Sequence, residues 1–196
     1  MGGIVTRLNP KFYPTLKLIK LKIRTNNIKE VKNVNFIKIE QFDTANGVGI
    51  GTVLWVAGCN HQCPCCHNPQ TWDKNAGKLW EARHAEFLLE TLQPDYITRL
   101  TLSGGDPMFP ENRFEIVRIL DVVRGVYPSK IIWLYTGYTF DEIKNTPVVQ
   151  NKLVDVIVDG EFRIGMKDLN LPYRGSSNQH LIGLTAKGSE QIRNFQ

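Results

Sequence analysis

Hydrophobic positions change their period along the chain, and the changes mark out elements. Val34-Asn35-Phe36-Ile37-Lys38-Ile39 alternates at period two and predicts a strand. The Gly-rich run Asn46-Gly47-Val48-Gly49-Ile50-Gly51 predicts a turn, and the continuously apolar Thr52-Val53-Leu54-Trp55-Val56 a buried strand. From Leu79 to Leu92 the apolar positions 79, 80, 87, 88, 89 and 92 share a helical face, which Pro94 ends. Leu100-Thr101-Leu102 reads as a strand running into Ser103-Gly104-Gly105-Asp106-Pro107. A helix follows from Glu111 to Val126, then a strand Ile131-Ile132-Trp133-Leu134-Tyr135 ending at Thr136-Gly137-Tyr138. Phe140 to Lys144 starts another helix, broken by Pro147, and Leu153 to Val158 is a strand ending at Asp159-Gly160.

Strands that alternate with helices and are apolar throughout predict an α/β fold of mostly parallel strands. We expect a partial, incomplete TIM-like (β/α) barrel; an open sheet fits the same pattern, and strand order is not fixed by it. In either case the chemistry belongs at the carboxyl ends of the strands. With 196 residues the chain is long enough for one domain with its own core. A hydrophobic fraction of 42% places it among globular chains. No apolar run approaches the roughly 20 residues of a membrane span, and the basic N-terminus lacks the apolar core of a secretory signal.

Charge alters the picture only at one end. Residues 1–33 hold eight basic groups and one acid; the other 163 hold 16 basic and 18 acidic, so the net +5 belongs to the leader. We expect residues 1–33 to be a basic N-terminal extension, disordered or a short edge strand over Leu16 to Ile23, dispensable for chemistry. Residues 34–196 then form the functional domain. A basic tail suits nucleic acid or an acidic partner, and equally a merely solvated segment; no nucleic-acid partner is expected.

All four cysteines lie in Cys59-Asn60-His61-Gln62-Cys63-Pro64-Cys65-Cys66. Cys59, Cys63 and Cys66 spell C-x3-C-x2-C. Such short loops make poor disulfides, whereas three thiolates on one loop suit a metal centre. A 4Fe-4S cluster on three cysteines keeps one iron open, as catalytic metal sites keep a position for substrate. Zinc stays open as an alternative, with His61 or His67 completing a Cys3His set. Thiols that must stay reduced suit the cytoplasm. Gly104-Gly105-Asp106 lets backbone approach a ligand closely, or is an ordinary turn. Asp159 ends a strand and suits a ligand or a helix cap. Arg174-Gly175-Ser176-Ser177-Asn178-Gln179 is rich in N–H donors and fits a phosphate loop or a surface turn.

The cysteine loop resembles that of the radical S-adenosylmethionine (SAM) superfamily. That resemblance implies one 4Fe-4S cluster on Cys59, Cys63 and Cys66, with SAM on the open iron. Reductive cleavage of SAM would give methionine and a 5′-deoxyadenosyl radical. It implies SAM contacts at Cys65, Cys66, His67, Gly104, Gly105, Asp106, Thr136, Gly137 and Asp159. Asn68, Thr71-Trp72, the Thr-Gly-Tyr and Val-Asp-Gly-x-Phe strand ends and Arg174 to Gln179 are together similar to one family. It is that of the activating enzymes of anaerobic (class III) ribonucleotide reductase, over roughly residues 34–185. The implied partners are the reductase large subunit, which carries the glycyl radical, and an electron donor such as flavodoxin. Arg174, Ser176, Asn178 and Gln179 are then expected along the rim that receives the reductase. Another glycyl-radical enzyme or a small molecule as substrate, or a non-enzymatic zinc or iron–sulfur module, are the alternatives. Cys65 and His67 stand where this family often has Gly and an aromatic residue.

Overall fold

The computed structural model describes residues 34–195, so the expectations for residues 1–33 lie outside the described residues. Among the described residues seven strands form one sheet: β1 (Asn35–Asp43), β2 (Gly51–Val56), β3 (Lys78–Leu79), β4 (Arg99–Gly104), β5 (Ile131–Tyr135), β6 (Val156–Asp159) and β7 (His180–Gly183). Their order across the sheet is β3-β1-β2-β4-β5-β6-β7. The pairs β2–β4, β4–β5 and β5–β6 are parallel, in register Gly51 to Arg99, Arg99 to Ile131 and Trp133 to Val156. The outer pairs β1–β2, β1–β3 and β6–β7 are antiparallel. The fold is therefore α/β, with the expected parallel character confined to the four central strands.

Burial explains this division. Every residue of β6 and five of six in β2 are buried, as a strand covered on both faces requires, whereas β1 has one buried residue in nine and sits near an edge. Helix α1 (Ala82–Leu92) starts later than its apolar pattern predicts, because Lys78 and Leu79 are drawn out as β3 against Phe36 and Asn35. Its first turn is closed by a reciprocal cap between Glu81 and His84. Helix α2 (Arg113–Val126) buries Ile116, Ile119, Leu120 and Val123, one stripe at helical spacing. The short helices α3 (Phe140–Ile143) and α4 (Pro147–Gln150) are separate because Pro147 cannot continue α3 and instead opens α4 at its first position. β7 and helix α5 (Ala186–Ile192) went unread in the sequence; β7 spans only four residues, and one of them is buried.

Two buried charges lock the end of the sheet opposite the strand tips. Arg99, fully buried at the start of β4, points its guanidinium into the β1–β2 loop. It donates to the carbonyls of Asn46 (2.7 Å), Val48 (3.3 Å) and Asp43 (2.9 Å) and to the Asp43 carboxylate (2.7 Å). Asp155 accepts from Arg124 (2.6 Å), Ile132 N (2.8 Å) and Thr185 (2.6 Å), tying β5, β6 and α5 to α2. Burial alone would raise the Asp155 carboxyl; those hydrogen bonds together outweigh it and hold it below the usual carboxylate range. Replacing Arg99 by Met strands the Asp43 carboxylate and several loop carbonyls. It is expected to lower the unfolding free energy by about 3–5 kcal/mol in urea titration. A loss under about 1 kcal/mol would mean that the loop holds without its clamp.

Candidate functional site

β2 delivers the chain to Gly58 (φ 95°), where the cysteine loop starts. The loop closes on itself. Gly58 N donates to Thr71 O (2.8 Å) and Cys59 N to Trp72 O (3.1 Å). Its return leg is a helical turn, Pro69–Thr71, in which buried Thr71 gives both its N–H and its hydroxyl to Asn68 O. Within the loop Cys66 N donates to Cys63 O, and Asn68 N points at the Cys66 sulfur (3.4 Å).

Cys59, Cys63 and Cys66 are half-buried and line one cavity of about 450 Å³; Cys65, at φ 61°, is exposed and does not line it. Burial pushes the Cys59 and Cys63 thiols above their ordinary value. A cationic metal centre reverses that, because coordination holds the sulfur as thiolate. A mononuclear zinc ion needs ligands within about 2.3 Å of one point. Among the described residues no three His, Cys, Asp or Glu side chains gather so closely. Three cysteines lining one cavity match in number the ligands of a cluster that keeps one iron open.

The Gly104–Gly105–Asp106 turn meets this loop backbone to backbone. Gly105 N donates to Val56 O and Asp106 N to Gly58 O, both at 2.8 Å. A Cβ on Gly105 would stand 2.6 Å from Gly58 O and 2.8 Å from Thr71 O. Gly104 has φ 111° and its own Cβ would meet Val56 backbone. These glycines are therefore demanded by the close approach.

Asp106 lines the cavity, but its carboxylate is 1% exposed and its oxygens are engaged by neighbouring loops. One oxygen accepts Met108 N (2.7 Å); the other accepts Thr136 Oγ1 (3.0 Å) and Gly137 N (2.9 Å). It joins the β4 and β5 tips, and thereby brings Thr136 and Gly137 to the cavity with Gly104 and Gly105. His67 lines the cavity too, its ring 6.1 Å from Phe162.

Asp159 stays out of the cavity wall. Its carboxylate accepts Phe140 N (2.8 Å), the first amide of α3, together with His180 N (3.1 Å) and His180 Nδ1 (2.9 Å). Its contacts are those of a helix cap. The Arg174 to Gln179 segment is a turn fastened by Gln179. That side chain accepts from Gly175 N (2.9 Å) and Ser176 N (3.2 Å), donates to Gly160 O (2.9 Å), and alone of the four expected rim residues lines the cavity. Ser176 is fully buried, so it does not face a partner. Asn178 donates to Glu161 O (2.8 Å), and Arg174 to Gln179 O (3.4 Å).

Sequence reasoning missed part of the wall. Asn46, Trp55, Ser103, Tyr135 and Phe162 also line the cavity. Trp55 and Ser103 are register partners across β2 and β4, which period-two patterning within one strand does not reveal. His61, read only as a spare metal ligand, sits between two carboxylates: Nδ1 is 2.8 Å from Glu161 and Nε2 3.2 Å from Asp106. The nearby Asp106 carboxylate, against the opposing effect of burial, pushes its pKa up, with Glu161 adding to it.

Residues 45–182, which include the cysteine-lined cavity, match the family described as "4Fe-4S single cluster domain", and this places the chain among iron–sulfur proteins. The chain is 41% identical over 148 residues to the anaerobic ribonucleoside-triphosphate reductase-activating protein of Enterobacteria phage T4, covering 76% of this chain and 93% of that one. Proteins of the same name from Escherichia coli (strain K12) and Vibrio cholerae are 37% and 36% identical, each over 74% of this chain and 96% of theirs. The chain belongs to the family of anaerobic ribonucleoside-triphosphate reductase-activating proteins.

Ser in place of Cys59, Cys63 or Cys66 is expected to abolish the iron–sulfur absorption after anaerobic reconstitution, while Cys65→Ser keeps its iron content. Iron retained in Cys66→Ser and lost in Cys65→Ser would reverse the assignment.

Proposed function

We propose that this protein is a radical SAM activase that generates the glycyl radical on the large subunit of anaerobic ribonucleotide reductase. The observation that carries the reading is the joining of the cysteine loop to the Gly104–Gly105 turn by direct backbone contact on one cavity wall. Cys59, Cys63 and Cys66 would hold the 4Fe-4S cluster, and SAM would lie toward Gly104, Gly105, Thr136, Gly137 and His67. When bound, the pair supplies electron-driven cleavage of SAM to methionine and a 5′-deoxyadenosyl radical, which takes a hydrogen atom from the partner's glycine.

The chain's own residues contribute position and shielding. Thr71 and Asn68 hold the loop's return leg. Asp106 keeps the β4 and β5 tips together, so the ligand meets preset backbone rather than mobile loops. Half-burial of the three cysteines limits water around the cluster. We read the sheet as an incomplete (β/α) barrel with the cavity at its mouth. Supporting this, the β1–β2 loop folds onto one face of the sheet, where a Cβ on Gly47 would meet both Arg99 on β4 and Trp133 on β5. Residues 34–196 are read as the radical SAM domain, with 1–33 a basic extension. An external reductant such as flavodoxin would supply the electron. No helix among the described residues is long and apolar enough to cross a membrane; a cytoplasmic setting fits cysteines that must remain reduced.

The test is electron paramagnetic resonance of the reductase mixed anaerobically with this protein, SAM and a reductant. A glycyl-radical doublet requiring every component is expected. Rapid SAM cleavage with no radical on the reductase from the same source would move the assignment to another glycyl-radical or small-molecule substrate.

A further inference from the structure

His61 lies between two of the cluster cysteines and lines the same cavity as they do, and its ring also meets the neighbouring loops. Three strand ends meet on it. Asp106, from the β4 end, stands 3.2 Å from Nε2, and Glu161, just past the β6 end, 2.8 Å from Nδ1. Tyr138, just past the β5 end, packs edge-on with ring centroids 4.5 Å apart. The approach to the β5 end is closer still. A Cβ on Gly137 would lie 2.7 Å from Nε2, so the ring occupies the space that any side chain there would need. The imidazole is only 10% exposed.

The loop needs such a tie. Its two ends are stitched by backbone hydrogen bonds at Gly58, Cys59 and Thr71, but its middle carries Gln62 at φ 49° and Cys65 at φ 61°, both left-handed without being glycine. Of the polar contacts from residues 60–62 to other elements, His61 makes two, a hydrogen bond to Glu161 and a 3.2 Å approach of Nε2 to the Asp106 carboxylate, and Asn60 makes one, accepting from Tyr138 OH (2.9 Å).

We propose that His61 is a positioning residue: held by Asp106 and Glu161 against Tyr138 and Gly137, it fixes the cysteine loop relative to the Gly104–Gly105–Asp106 turn and so sets the affinity for SAM. This rests on the radical SAM reading. A ligand that spans the open iron and the β4 turn binds best when the two are already at the right separation, because the cost of ordering them is then not charged to binding. His61 connects those two supports directly, since its partner Asp106 also carries the β4 turn. A residue that served stability alone would change iron loading and melting, not the SAM affinity of fully loaded protein.

The experiment compares wild type, His61→Ala, His61→Gln and Glu161→Ala after anaerobic reconstitution to equal iron content. Its readouts are equilibrium SAM binding and the change that SAM produces in the paramagnetic resonance spectrum of the reduced cluster. His61→Ala is expected to weaken SAM binding about tenfold, equivalent to about 1.4 kcal/mol, and to blunt the spectral change. His61→Gln, whose amide keeps one donor for Asp106, recovers part of the affinity. Glu161→Ala, which loses one half-exposed bond, falls between Ala and wild type, and decides the matter if His61→Ala fails to load iron. Wild-type SAM affinity in fully loaded His61→Ala, or in Glu161→Ala where His61→Ala does not load, overturns the proposal. Wild type that holds its cluster and binds no SAM overturns the radical SAM reading, and this inference with it.

Discussion

Two backbones in direct contact set the architecture of the site. Gly58, at the end of β2, and Gly105, past the end of β4, approach until Asp106 N bonds Gly58 O at 2.8 Å, leaving no room for a Cβ on Gly105. The parallel β2–β4 register, which runs to Val56 and Gly104, brings the two strand ends level. Everything that follows Gly58 inherits this constraint. The cysteine loop leaves at Gly58 and returns through Thr71, whose carbonyl accepts Gly58 N and would stand 2.8 Å from a Cβ on Gly105. A substitution there displaces the cysteine loop and the Gly104–Gly105 turn together, since they share one set of hydrogen bonds.

Buried acids repeat this design at both ends of the sheet. Asp106 and Asp159 sit at strand tips and spend their oxygens on groups of their own and neighbouring loops, while Asp155 and the Asp43–Arg99 pair brace the opposite end. Each such carboxylate is costly to bury, and each is offset by several donors from different elements. The loops around the cavity are thereby positioned by charge-assisted hydrogen bonds rather than by apolar packing alone. That suits a wall which must present polar backbone to a charged ligand.

The central strands and the cysteine loop were legible in the sequence because continuous apolar runs and thiol spacing are local signals. β5 is found where its apolar run lies, and α2 starts two residues later than expected and ends where expected. What escaped depends on contacts between distant residues. β3, β7 and the antiparallel direction of the outer strands come from pairing, not from pattern. Asp106 and Asp159 carry the right residue type for ligand contact, but only the fold shows their oxygens committed to Gly137, Phe140 and His180. Ser176 was expected on a rim and is interior, because Gln179 folds the turn inward over it. His61 gave no sequence signal beyond being one more histidine beside cysteines; its meaning lies in Glu161, a hundred residues away.

The central claim is that Cys59, Cys63 and Cys66 bind three irons of a cluster whose fourth iron takes SAM. Mössbauer spectroscopy of protein reconstituted with isotopically enriched iron tests it most directly. The account predicts a 4Fe-4S spectrum in which one iron of four changes its isomer shift when SAM is added, while the other three stay as they were. Four irons that all ignore SAM, or iron bound as isolated ions on those cysteines, would contradict it.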